Sequence, residues 1–128
     1  MKPEVELQII QDDLIRKGYT PLTKEALVAL VSNTTVRGDY EYSGHRIYKT
    51  FMDANGEMEG RNDWGSEEQG RWRVDDSGCM CVTWEGYWEN WCGMAFKVDD
   101  EIKFYDSISG KWRTSFHQIL QGSQDLSV

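Results

Sequence analysis

No segment of this chain approaches the ~20 consecutive apolar residues that a membrane-spanning helix requires. A helical membrane span within these residues is therefore not expected. The first residues also lack the continuous apolar core and small-residue cleavage site of a signal peptide. The chain is then either cytoplasmic or has lost a leader. Positive charge is scarce: 14 Lys and Arg face 22 Asp and Glu, for a net charge of −8. The strongest basic groups, Lys111/Arg113 and Arg71/Arg73, are too small to follow a phosphate backbone or to hold an anionic membrane surface. Histidine is limited to His45 and His117, each near a predicted strand end, and there is no Gly-x-Ser-x-Gly elbow. No catalytic residue is assigned. Glu57, Glu59, Asp63, Glu67 and Glu68 form an acidic stretch without calcium-loop spacing, and read as a solvated edge. Neither a metal nor a cofactor is expected. Linkers, low-complexity tracts and long internal repeats are also missing.

Aromatics are plentiful. Hydrophobic residues make up 39% of the chain, but six Trp, six Tyr and four Phe fill a β core with few residues. Such loading argues against disorder, and 128 residues suffice for one sizeable core.

Residues 3–17 have helical spacing, with Pro3 at a first-turn position, Leu7, Ile10 and Leu14 on one face and Gly18 as a stop. A second helix is predicted from Thr23, its N-cap, to Val31, with Ala26, Leu27 and Leu30 facing a core. From Thr34 onward the texture is β. Eight strands are predicted at 34–41, 44–52, 57–64, 69–75, 79–85, 91–98, 101–106 and 111–117. Asp53-Ala54-Asn55-Gly56 and Asp75-Asp76-Ser77-Gly78 suit a type I turn followed by glycine at positive φ. Asp99-Asp100 and the run from Ser107 to Gly110 mark further reversals. Short connections force antiparallel neighbours. Eight such strands leave exposed edges unless the sheet closes. The expected fold is therefore mainly β: an eight-stranded antiparallel up-and-down barrel, wide enough for side chains or one small ligand. The helix at 23–31 would plug or flank one end. Residues 1–20 form an N-terminal helical extension, and 21–128 the barrel domain.

An ordered set of local patterns carries a resemblance. Leu22-Thr23 leads into a short helix ending at Ser32-Asn33-Thr34, then Gly44 precedes a strand with Tyr48 and Phe51. Asp53-x-Asn55-Gly56 follows, then Gly70-x-Trp72-x-Val74 with a turn ending at Gly78. Cys81 and Cys92 bracket a hairpin, and the run from Asp106 to Gly110 precedes the last strand. Over about two thirds of its length the chain thus resembles a family of small bacterial envelope domains with a lipocalin-like (calycin) fold. The resemblance implies a periplasmic or secreted setting and a cavity, and supplies no catalytic residue. The helix at 3–17 and Cys79 lie outside the pattern, and 3–17 is a candidate partner or homodimer contact.

A hairpin with loop 85–88 puts Cys81 opposite Cys92, within reach of a disulfide. Its facing is in conflict. Met80, Val82 and Trp84 read as the inward face, which turns Cys81 outward, while Cys92 shares a face with Met94, Phe96 and Val98, which also read as inward. Strict alternation cannot satisfy both. Either a β-bulge near Gly86 or Gly93 intervenes, or the cysteines face inward and Trp84 and Trp91 cover an outer surface. Cys79 and Cys81 have poor zinc-pair spacing, and neighbouring Asp75, Asp76 and Glu85 argue against a reactive thiolate. Three buried reduced thiols remain the alternative.

The aromatic set exceeds what one small core holds, and Tyr87-Trp88-Glu89-Asn90-Trp91 falls largely in a loop, where Trp and Tyr mark binding hot spots. The leading expectation is a non-enzymatic binding domain. It would take a small apolar ligand in the barrel, or a partner protein at the aromatic hairpin, through Tyr48, Trp72, Trp84, Tyr87, Trp88, Trp91, Phe96 and Phe104. A structural or interaction protein of the envelope is the alternative, and a small hydrolase-like enzyme ranks last.

Overall fold

The computed structural model describes residues 11–128. The predicted helix at 3–17 lies partly outside them. Residues 11–16 are helical (α1), followed by a two-residue strand, β1 (Thr20–Pro21). Helix α2 (Lys24–Val31) starts at Thr23, whose side-chain oxygen accepts from the Ala26 N–H at 3.1 Å as an N-cap should. Eight strands complete the chain: β2 (Thr34–Glu41), β3 (His45–Met52), β4 (Glu57–Asn62), β5 (Glu67–Val74), β6 (Cys79–Trp84), β7 (Trp91–Val98), β8 (Glu101–Asp106) and β9 (Trp112–Gln121).

Each of these strands pairs antiparallel with the next, and β9 pairs back with β2, which closes an up-and-down barrel. Strand β1 pairs with β7 at Phe96 and Lys97, past the end of the β6 pairing. The predicted turns form by the expected chemistry. Gly56 and Gly78 sit at φ +93° and +89°, and the carboxylates of Asp53 and Asp75 accept from the N–H two residues on.

Alternation along the strands makes a packed inner layer from Val36, Met52, Met58, Trp72, Met80 and Phe104, among others. Helix α2 plugs the end formed by the β3–β4, β5–β6 and β7–β8 turns, with Leu27 and Val31 fully buried in that layer. The predicted face of α2 is corrected: Ala26 and Leu30 are exposed, because the i, i+4 pair Leu27/Val31 takes the core side. Lys24 pairs with Asp76 of the β5–β6 turn at 3.0 Å and ties the plug to the rim.

The conflict over the cysteines resolves without a bulge in their hairpin. Cys81 lies opposite Cys92 in the predicted register, and the two form a disulfide on the outer wall. Met80, Val82 and Trp84 do face inward. The inward assignment of Met94, Phe96 and Val98 is the error. They face outward and form a second cluster with Cys79, Tyr105 and Tyr19, covered by Leu14 of α1. The apolar character of that face comes from its helical cover, so it imitates a core face in the sequence. The register shifts that do occur lie on β9, against Arg37/Gly38 and against Phe104/Tyr105. Among the described residues no helix is long and apolar enough to cross a membrane.

Candidate functional site: a half-hollow barrel

The end opposite the α2 plug is open. Its rim consists of the four loops at 42–44, 63–66, 85–90 and 107–111. Behind it lies a cavity of about 530 Å³, floored by Met52, Met58, Val82 and Phe116. A volume of this size falls in the ~300–1,000 Å³ range of small-molecule sites.

The two walls differ in chemistry. One carries hydroxyl and amide groups from Tyr40, Tyr48, Thr50, Asn62 and Thr114. The Thr114 hydroxyl donates to the Asp39 carbonyl at 2.7 Å, which leaves Tyr48 to donate to the Thr114 oxygen at 2.6 Å. Burial raises the Tyr48 phenol far above its usual range and raises Tyr40 less. Both stay neutral hydrogen-bonding groups. The Asn62 side-chain oxygen accepts from the N–H of Trp64 and of Ser66, and thereby shapes the 63–66 loop.

The facing wall is aromatic: Trp84, Trp88 and Trp91. Trp84 and Trp88 meet edge to face with ring centroids 4.7 Å apart. Two glycines make this possible. A Cβ at Gly60 would stand 2.9 Å from both indoles, and one at Gly70 would stand 2.7 Å from Trp84 and from the Thr83 carbonyl. The indoles therefore lie against bare backbone.

Glu68 holds the 85–90 loop over this wall. One of its carboxylate oxygens accepts from Gly86 at 3.0 Å, and the other from Tyr87 and Trp88 at 2.8 Å each. These three N–H groups have no strand partner, so the carboxylate replaces the missing ladder. Arg113 lines the mouth and pairs with Glu89 at 3.3 Å.

Of the residues expected to bind, Tyr48, Trp84, Tyr87, Trp88 and Trp91 line the cavity. Tyr87 stands fully exposed at the loop tip. Trp72 and Phe104 belong to the packed layer beneath, where the Trp72 indole N–H donates to the Asp53 carbonyl at 2.9 Å. Phe96 is on the outer wall, for the reason given above. Tyr40, Asn62, Glu68 and Thr114 escape the sequence reading. Glu68 hides within an acidic run whose other carboxylates are solvated. Gly60 and Gly70 were the readable signal, since glycine inside a strand marks close approach.

Outside the barrel, Asp39 pairs with His45 at 2.7 Å and with His117 at 2.8 Å, and His117 also faces Glu101 at 2.9 Å. Among the described residues no group of three or more His, Cys, Asp and Glu is arranged to hold a metal ion. Cys79 is a buried free thiol beside the disulfide, and burial raises its pKa. Comparison of the chain with protein-family models, curated proteins and solved structures finds no match.

Proposed function

We propose that this chain is a non-enzymatic binding protein that takes a small, largely apolar molecule through the open end of the barrel. The observation that carries the reading is the asymmetry of the interior. One half is plugged and packed, while the other keeps an indole-walled cavity of about 530 Å³. Hydrophobic surface left uncovered in this way marks a binding site. Glu68 and the two strand glycines support it, because they position the indoles without filling the space. Residues 21–128 form the binding unit, and residues 1–20 an extension whose Leu14 seals the outer wall. The lipocalin-like (calycin) character and the bacterial envelope setting belong to the same proposal. The disulfide favours an oxidising compartment such as the periplasm or the exterior.

Titration with an apolar dye whose emission rises on desolvation tests this reading. Saturable binding at one site, reduced by Trp88→Ala, is the expected result. No binding in a folded protein would remove the proposal.

A second reading, a partner protein seated on the rim, has one observation in its favour. Tyr87 is fully exposed on the rim, and Tyr42 and Trp64, which meet edge to face on other rim loops, are also exposed. A photo-crosslinker at position 87 would yield a discrete adduct in cells; its absence would retire this reading.

A further inference from the structure

We infer that the cavity selects an organic cation: a quaternary or protonated amine carried on an apolar body. The inference rests on the proposed binding role of the cavity and names the ligand class.

Three observations on the site converge. First, the wall is aromatic. Trp84, Trp88 and Trp91 border the space, with Tyr40 and Tyr48 across from them. An indole face carries negative quadrupole density and attracts a cation within about 6 Å of its centroid, more strongly when water is excluded. Second, the mouth already uses this interaction. The Arg46 guanidinium sits 3.8 Å from the centroid of the Trp64 ring, and Trp64 lines the cavity entrance. Third, the charge of the lining has one predominant sign. Glu41, Glu67, Glu68 and Glu89 contribute carboxylates against Arg113; Glu89 is paired with Arg113 and Glu67 with Arg61, so Glu41 and Glu68 carry the excess. Arg113 is paired with Glu89, so it is not free to receive an anionic head group.

The inner polar wall agrees with this selection. Its groups are neutral hydroxyls and an amide, and burial holds the Tyr48 phenol protonated. A carboxylate-headed ligand would find no cation there and would pass the glutamates to reach it. A trimethylammonium head, in contrast, needs no hydrogen bond and is weakly hydrated. Low-dielectric walls lined by one sign also concentrate counter-ions at the mouth, and the chain as a whole carries −8.

A matched trio of probes tests this: cyclohexylmethyl-trimethylammonium, cyclohexylmethanol and cyclohexylacetate. They share an apolar body that is transparent to tryptophan excitation, and calorimetry with tryptophan fluorescence gives each affinity. The cation is expected to bind about tenfold tighter than the alcohol, and the alcohol tighter than the carboxylate. Added salt should narrow the gap between cation and carboxylate. Trp88→Leu should lower the ratio of cation to alcohol affinity severalfold. Glu41→Gln, at the exposed end of β2, should lower the same ratio without any risk to the core. Equal affinity for all three, or the carboxylate binding tightest, would overturn the cation inference and leave the cavity reading standing. If none of the three binds, both fall.

Discussion

Two inward positions show how single residues set the hollow half of the barrel. At Gly70 an added methyl would meet the Thr83 carbonyl, a backbone atom that cannot swing aside, as well as the Trp84 ring. Gly70→Ala is therefore expected to cost about 1–3 kcal/mol, as overpacked sites do, measured by urea unfolding; an unchanged midpoint would contradict the close packing. At Tyr48 the phenol is buried and its pKa is raised, so the folded state holds this proton more tightly than the unfolded chain. Its contribution is complete below about pH 10, the ordinary phenol value, and is lost as pH rises from there toward the raised value. Tyr48→Phe should therefore show a shallower alkaline loss of stability than the parent between about pH 10 and pH 12. Identical slopes would show that Tyr48 is not the group responsible. The role of Tyr48 is not legible in the sequence. Tyr48 reads as one more aromatic on a strand, and its partner Thr114 is 66 residues away, a contact that only closure of the barrel creates.

At the scale of elements, the cysteine hairpin divides what is legible from what is not. Its register follows from loop length and turn residues, both local, and Cys81 opposite Cys92 is readable in them. Which face of β7 is inside depends on α1, which brings Leu14 onto the outer wall from far along the chain. An outer face that is apolar because a helix covers it cannot be told from an inner one by periodicity. The disulfide joins cysteines separated by 11 positions in sequence, and replacing both by serine is expected to cost about 2–3 kcal/mol in the chain-entropy picture. Thiol titration of the denatured, unreduced protein should find one free group, Cys79; three would contradict the bond. The 85–90 loop depends on a different tie. Glu68→Ala should remove amide-exchange protection at Gly86, Tyr87 and Trp88 while leaving the β5–β6 ladder protected. Loss of protection throughout the barrel would mean that Glu68 supports the whole fold, not the loop alone.

For the whole molecule, closure and function draw on opposite ends of one barrel. Eight short antiparallel strands could not leave their edges open, so closure was readable from turns alone. Strand count does not say whether the interior is full. That depends on the depth to which α2 enters and on where the glycines fall, which are properties of packing rather than of pattern. The outcome is a core at the plugged end and a cavity at the open end, with tryptophans in both. The six tryptophans can therefore be read separately by the NMR signals of their indole N–H groups. On addition of the neutral probe cyclohexylmethanol, the signals of Trp84, Trp88 and Trp91 should shift and saturate together. That of Trp72, bonded to the Asp53 carbonyl in the packed half, should stay in place. If no indole signal moves, or Trp72 moves with the others, the half-hollow barrel is not the binding site.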